Sequence, residues 1–301
     1  MPSNAVAGSA LESQAATPAV PRPTRPFYWA LRRELWEYRS IYIAPLAVAG
    51  LALLGFLVAS IGRALAIRDL AQRQAVLEEP KIFAVGVVMA VSVVVAVFYC
   101  LDTLHAERRD RSILFWKSLP VSDFLTVLSK ATVPILVIPL LTFAITLAME
   151  WIMLLLSSAV LAGSGLGVAT LWSHSFQMSA MLLYHLVAIH GFWCAPLYAW
   201  LLLVSVWARR APLLWALLPP LAIGVVEKIA FNTAHFAHLM AYRFGSGLEE
   251  SSLRESVMAM DVTPGLALGH LLVNPHLWTG LALAALFLAA TVRLRRYRGP
   301  V

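Results

Sequence analysis

Long apolar runs separated by polar segments dominate this chain. A helix that crosses the hydrocarbon core of a bilayer, about 30 Å thick, needs roughly 20 mostly apolar residues. Six runs qualify, and the fourth is the longest. They span about Ile41–Gly62, Ile82–Leu101, Ala131–Ser158, Phe176–Ala208, Leu213–Phe231 and Asn274–Val292. This pattern predicts an all-α membrane protein with six transmembrane helices.

The segment Phe27–Ser40 has a helical period but is too polar to cross a membrane. Arg32, Arg33 and Glu37 fall on one side of the predicted helix. The aromatic and leucine residues that carry its apolar character are Tyr28, Leu31, Leu35, Trp36 and Tyr38. We expect this helix to lie in the cytosolic interface with its apolar stripe in the lipid. A plain membrane anchor and a mechanical role are both compatible with the pattern.

Two further segments fall outside the six runs. Residues 1–26 are rich in Ala, Pro and Ser, and we interpret them as a disordered cytosolic tail ahead of a single transmembrane domain, 27–298. Pro264–Val273, with the sequence PGLALGHLLV, is too short to span and too apolar for an exposed loop. It predicts a re-entrant segment in the outer half of the membrane.

Composition supports an integral membrane protein. Hydrophobic residues make up 60% of the chain and charged residues 13%, against about 45–50% and about 25% in soluble domains. Mean hydropathy is +0.77. The formal charge of +7 therefore requires no nucleic-acid partner, because basic residues collect on the cytosolic face of membrane proteins. With an internal N-terminus, sixteen of the 23 Lys and Arg residues fall on the cytosolic side, which predicts that both termini are cytosolic.

The segment Asp102–Lys130 is a charged island between the second and third runs. We expect Glu107 and Arg111, four residues apart, to support one helix that ends at Pro120. Ser122 is placed to cap the next helix, with Asp123 at its positive end. Taken alone, the island is more typical of a solvated positive-inside loop, and docking of a soluble partner is the alternative.

This order of elements resembles the permease subunits of type-2 ATP-binding-cassette (ABC) exporters. The resemblance covers about Pro26–Arg298, and its most specific part is Glu107–Asp123, ERRDRSILFWKSLPVSD. It implies that Phe27–Ser40 is an elbow helix and that the loop after the second span is a coupling helix that docks on an ATPase. The coupling residues implied in this way are Glu107, Arg108, Arg109, Asp110, Arg111, Phe115, Trp116, Pro120 and Asp123.

The same resemblance implies two permeases, alike or paralogous, with two soluble ATPase subunits in a bacterial cytoplasmic membrane. The sequence contains no G-x-x-x-x-G-K-[ST] phosphate loop. We therefore expect a separate polypeptide to hydrolyse ATP and to hold ATP and Mg²⁺, with no cofactor bound by this chain. An amphipathic or lipid-like substrate is favoured.

Three ionisable residues, Glu150, Glu227 and Lys228, lie within or at the ends of apolar runs. Such residues are candidates for a substrate path, although side chains near a membrane surface also reach the interface simply to stay hydrated.

Four histidines support an alternative, an intramembrane enzyme or a haem- or metal-binding membrane protein. They are His185, His190, His235 and His238. No H-E-x-x-H motif occurs, which argues against a zinc metalloprotease. A third alternative is a membrane anchor or sensor subunit that transports nothing.

Overall fold

The computed structural model of the chain describes residues 26–62, 70–118, 121–161, 179, 182–183, 185–243 and 272–298. Within those ranges the regular secondary structure is helical and no strand occurs, so the all-α prediction is confirmed there. The predicted tail up to residue 25 lies outside the described residues. So does the predicted re-entrant segment Pro264–Val273, apart from its last two residues.

The helices that the structure describes follow in one order along the chain. They are α1 Pro26–Glu37, α2 Ser40–Gly55, α3 Leu70–Arg109, α4 Ser112–Ser118, α5 Asp123–Thr132, α6 Ile138–Leu161, α7 Ala195–Trp207, α8 Pro212–Phe231, α9 His235–Ala241 and α10 Pro275–Tyr297. Wider, π-helical stretches at Phe56–Ile61, Val133–Val137 and His185–Trp193 continue or precede α2, α5 and α7.

Five helical segments are long and apolar enough to cross a membrane. They are Ser40–Val58, Pro80–Arg109, Asp123–Ala159, Pro212–Phe231 and Pro275–Tyr297. Each overlaps one of the predicted spans, which supports a multi-pass membrane protein. The fifth-run helix, α8, continues through Pro219 and Pro220 without interruption.

The predicted span Phe176–Ala208 is only partly described. Its second half forms the π-helical stretch His185–Trp193, a turn at Cys194 and then α7, which is apolar but shorter than a span. Pro196 lies in the first turn of α7, where its missing N–H costs nothing. The break in the helix therefore falls just before the proline.

The charged island is more helical than its composition indicates. The second-run helix, α3, continues to Arg109, and α5 already begins at Asp123. Only the short α4 and its connections lie between them. Glu107 therefore lies in the last turns of α3, and Lys130 lies on α5, which begins the third membrane-spanning segment.

The main core lies around α7, which packs between α3 and α10. Tyr198 and Leu202 of α7 are buried against Cys100 and Leu104 of α3, together with Ile41 at the start of α2. A second core joins α2, α3 and α6. These two cores leave α8 mostly exposed along its apolar length, as expected for a helix that faces lipid.

The apolar stripe of α1 was expected in the lipid, and this expectation is wrong for most of its residues. Leu31, Leu35 and Tyr38 pack against the main core. The reason is electrostatic, since Glu34 lies on the same face and finds its partners inside the bundle. Tyr28 and Trp36 remain exposed, Trp36 to 67%.

Candidate functional site

Four buried ionisable side chains meet at one end of the bundle, which we call the charged end. They are Glu34 on α1, Glu107 on α3, Lys130 on α5 and Arg295 on α10, and none is more than 3% exposed. With two acids and two bases the group is formally neutral. We call these four residues the ion network.

Glu34 anchors α1 to α3 and α5. Lys130 Nζ lies 2.8 Å from Glu34 Oε1. The Tyr99 and Thr103 hydroxyls donate hydrogen bonds to Oε2 at 2.9 Å and 3.1 Å. Lys130 Nζ also donates to Thr103 Oγ1 at 2.7 Å. Both carboxylate oxygens of Glu34 are thus satisfied inside the protein, which is the condition for burying an acid at low cost.

Glu107 is the centre of the network. Arg295 Nη2 donates to its Oε2 at 3.0 Å. Lys130 Nζ lies 3.1 Å from Oε1 and Arg33 Nη2 lies 3.9 Å from the same oxygen. The Lys130 contact is an ion pair by distance, but it is not aligned as a hydrogen bond. Glu107 therefore connects three helices other than its own, through α5, α10 and α1.

Arg295 extends the network to the start of α5, where its Nε lies 3.6 Å from Asp123 Oδ1. Asp123 stands in the first turn of α5 behind the N-cap residue Ser122, whose Oγ accepts a hydrogen bond from Leu125 N at 3.2 Å. The predicted cap at Ser122 is confirmed. Asp123 sits at the positive end of the helix dipole while also facing a buried arginine.

Electrostatics hold Glu34 in its charged form. Burial raises the pKa of Glu34, but Lys130 and the Tyr99 hydroxyl outweigh burial, so the pKa lies below its ordinary value. Removing one member of a buried ion pair costs about 3–5 kcal/mol, because the partner is left buried and uncompensated. The network therefore fixes how four helices meet.

Helix α4 is tied to this end of the bundle at several points. Ile113 is buried at 2% exposure. The Arg33 guanidinium lies 3.4 Å from the centre of the Trp116 ring, a cation–π contact with α1. Lys117 Nζ donates to the carbonyls of Arg296 and Arg298 at the end of α10, at 3.4 Å and 3.2 Å.

The opposite side of α4 and the turn before it face outward. Leu114 and Phe115 are 58% and 60% exposed. Arg109 and Asp110 are about equally exposed and pair with each other at 3.0 Å. Arg111 is exposed as well. We call these five residues, Arg109, Asp110, Arg111, Leu114 and Phe115, the exposed ridge.

The predicted helical pair of Glu107 and Arg111 does not form. The helix ends at Arg109, and Arg111 adopts a left-handed backbone conformation with φ of 58°. Its side chain is therefore directed away from the turn that carries Glu107. Both Glu107 and its neighbour Arg108 are buried, so neither lies on a surface that a partner can touch.

Arg108 instead bonds to the end of α7, donating to the backbone carbonyls of Val206 and Ala208. Trp116 is only partly exposed, since Arg33 covers its ring. Pro120, the predicted break, lies outside the described residues. Of the predicted coupling residues, those on the exposed ridge are the ones that the fold presents outward.

The predicted substrate-path residues have local partners. Glu150 is hydrogen-bonded to Ser179 and lies near the charge of Lys81. Glu227 caps α9, because its Oε1 accepts from His235 N at 2.7 Å and its Oε2 from Phe236 N at 2.8 Å. These contacts give Glu227 a structural role at the α8–α9 corner. Lys228 is exposed on α8.

The histidines of the alternative hypothesis are not gathered into a site in the part of the chain that the structure describes. No group of three or more His, Cys, Asp or Glu side chains is placed there to hold a metal ion. His235 is 86% exposed and pairs with Glu227. His238 is exposed on α9 and His190 is partly buried in the π-helical stretch before α7; the His185 side chain is outside the description.

Sequence reasoning missed Glu34, Lys130 and Arg295 as parts of one cluster. A signal for Glu34 was present, because it falls three residues after Leu31 and therefore within the apolar stripe of α1. Arg295 likewise follows the buried Ala284 and Thr291 along one face of α10. A charge on an apolar helix face indicates a buried partner, but the pattern does not name that partner.

Comparison with known proteins gives no identity. No family model, no curated protein and no solved structure matches this chain. The residues and contacts described above therefore carry the functional argument.

Proposed function

We propose that this chain is the membrane-spanning permease subunit of an ABC exporter. It forms a dimer with a second copy or a paralogue, and two separate ATPase subunits supply ATP hydrolysis. The observation that carries the proposal is the attachment of an outward-facing ridge to a buried ion network that joins four helices. A ridge attached in this way is suited to transmitting a movement of a bound soluble partner to the helix bundle.

The ridge has the composition of a docking surface. Phe115 and Leu114 offer apolar contact area, and Arg109 and Arg111 add positive charge at the edge. Aromatic and arginine side chains are enriched among the residues that dominate binding energy at interfaces. Lys117 and the Arg33–Trp116 contact hold α4 from behind, so a force on the ridge reaches α10 and α1 directly.

In this proposal α1 is the elbow helix and α4 is the coupling helix. When the ATPase subunits close, α4 moves with them, and the ion network makes α1, α3, α5 and α10 move together. Buried charged pairs are suited to this task, because separating any two members costs far more than moving them as one unit. The spans then alternate between inward-open and outward-open conformations.

The proposed location is a bacterial cytoplasmic membrane with both termini, and therefore the charged end, in the cytosol. Each of the five described spans contains an 18-residue window with at most two Asp, Glu, Lys or Arg residues. A path between such helices favours an amphipathic or lipid-like substrate over a highly charged one. In this proposal the partner subunits bind ATP and Mg²⁺ and hydrolyse the ATP.

Co-purification tests the docking surface. The tagged chain is expressed with the ABC ATPase encoded in the same operon, and the ATPase retained on the chain is measured. We expect Leu114→Ala combined with Phe115→Ala to abolish retention. The matched control is Phe83→Ala, which removes a 75%-exposed phenylalanine near the far end of α3. The control should retain the ATPase fully.

Coupling between the permease and ATP hydrolysis is tested in proteoliposomes that contain the chain and the ATPase. ATP turnover stimulated by the permease should fall to the level of the ATPase alone in the Leu114/Phe115 double variant. Undiminished retention and turnover in that variant, with the fold intact by thermal melting, would remove the ridge as the docking site. A chain that purifies with stoichiometric haem or metal and binds no ATPase would overturn the transport proposal itself.

A further inference from the structure

An open cleft lies beside the charged end, between α7, α8 and α10. Its volume is about 610 Å³. Its walls are apolar and aromatic, formed by Trp200, Leu203 and Trp207 of α7, Pro219 of α8, and Ala290 and Leu294 of α10. A cleft of this size is in the range of small-molecule sites, and its walls suit a hydrocarbon chain.

The mouth of the cleft is basic. Arg293, Tyr297 and Arg298 line it, and an adjoining depression of about 310 Å³ adds Arg296. None of the residues that line the two cavities is acidic. Neither Arg293 nor Arg298 forms an ion pair with any residue that the structure describes. Arg298 Nη1 donates to the Trp207 carbonyl at 2.7 Å, which fixes its guanidinium at the rim.

More positive charge lies immediately behind this mouth. Arg108 bonds to the same end of α7, and the charges of Arg298 and Arg209 act on it. Arg209 and Arg210 occupy the turn between α7 and α8. An excess of arginine without nearby acids favours an anionic ligand, because guanidinium groups bind phosphate oxygens in pairs.

The combination of apolar walls and a cationic mouth selects one ligand class. A free anion gains no binding energy from apolar walls of tryptophan, leucine and proline. A second copy of this chain, related by a twofold axis at the cleft, would set like-charged arginines against each other. An anionic phospholipid satisfies both halves of the site, with its phosphate at the arginines and an acyl chain along Trp200 and Leu203.

We propose that this cleft binds one anionic phospholipid from the membrane leaflet that borders the charged end. The bound lipid joins α7, α8 and α10 near the attachment of the ion network. Its phosphate is held at Arg293 and Arg298, and its headgroup extends toward Arg296. The proposal does not depend on the transport activity proposed above.

Native mass spectrometry of the detergent-purified, delipidated full chain tests the site. The protein is titrated with phosphatidylglycerol or with phosphatidylcholine of the same acyl chains. We expect the first lipid adduct to form at about tenfold lower concentration with phosphatidylglycerol, the effect of roughly one good charged contact. Arg293→Gln with Arg298→Gln should abolish this preference while leaving weak binding of both lipids.

The matched control is Arg32→Gln with Arg39→Gln, which removes the same charge from α1 and from the turn that follows it. It should keep the full preference, and an equal loss in this control would show general surface attraction and overturn the site. Ala290→Trp fills the cleft while keeping every arginine, and it should weaken the first adduct of both lipids. This variant also decides the question if the arginine variant fails to fold.

Glycerophosphoglycerol, the headgroup without acyl chains, separates a lipid site from a free-anion site. It should not displace bound phosphatidylglycerol even at a large molar excess. Displacement at concentrations comparable to the lipid would overturn the proposal, since the apolar walls would then contribute nothing. An unchanged preference in the arginine variant, together with unchanged binding of both lipids in Ala290→Trp, would overturn it as well.

Discussion

Lys130 Nζ lies 2.8 Å from Glu34 Oε1, although 96 positions separate the two residues in the chain. Both side chains are almost completely buried. This pair joins the non-spanning α1 to the beginning of a membrane-spanning segment. It converts an amphipathic helix that could lie loosely on a membrane into a fixed part of the bundle.

Replacing Lys130 tests this anchoring. We expect Lys130→Met to lower the free energy of unfolding by about 3–5 kcal/mol, because Glu34 and Glu107 are left buried without their common base. The measurement is thermal or denaturant unfolding of the detergent-purified protein. Lys117→Met removes an exposed amine that bonds to two backbone carbonyls, and it should change stability by less than about 1 kcal/mol. A similar effect of the two changes would contradict the buried pair.

Glu107 is expected to be structural. Glu107→Ala should strongly reduce the yield of folded, monodisperse protein, since Arg295 and Lys130 both lose their partner. Size-exclusion chromatography after extraction measures this loss. Asp110→Ala, three residues further on and exposed, is the matched control and should behave as wild type. A well-folded Glu107→Ala protein would show that the network does not depend on its centre.

The Arg33–Trp116 contact should couple α1 to α4. A double-mutant cycle with Arg33→Met and Trp116→Leu measures the coupling in thermal unfolding. We expect a coupling energy of about 1 kcal/mol or more, the range of a partly desolvated cation–π contact. Additive effects of the two changes would show that the stacked geometry contributes no specific stabilisation.

Gly191 should resist substitution. A Cβ atom at this position would lie 2.5 Å from the Ile135 carbonyl oxygen, where the two π-helical stretches approach each other. We expect Gly191→Ala to lower the free energy of unfolding by about 1–3 kcal/mol, the cost of overpacking. Gly86→Ala on α3, where nothing lies within 4 Å of the added atom, should be neutral or stabilising.

Stability should fall in acid through Glu34. Because its pKa is lower in the folded protein than the ordinary 4.5, the stabilisation is fully present above that value and is lost as the pH falls through the folded pKa. Melting temperatures between about pH 7 and pH 3 should therefore fall more steeply for wild type than for Glu34→Gln. Parallel curves would contradict the assigned direction.

The membrane class and most of the spans can be predicted from the sequence alone. Runs of about 20 apolar residues can satisfy their backbone only as helices in a bilayer, so Ile82–Leu101 or Leu213–Phe231 had no other structure available. The Ser122 cap was equally readable, because capping depends on a side chain and on backbone N–H groups only a few residues away. Helix capping and span length depend on residues that are close together in the sequence, so both can be predicted from it.

The positions of the charged side chains depend on how the helices pack. Glu34, Glu107, Lys130 and Arg295 are far apart in sequence, and each is compatible with a solvated loop or a helix end when considered alone. Packing of α1, α3, α5 and α10 brings them together, and burial then makes their pairing obligatory. The charged island was therefore found by its composition, but its division into a buried network and an exposed ridge depends on which side of each helix end faces its neighbours.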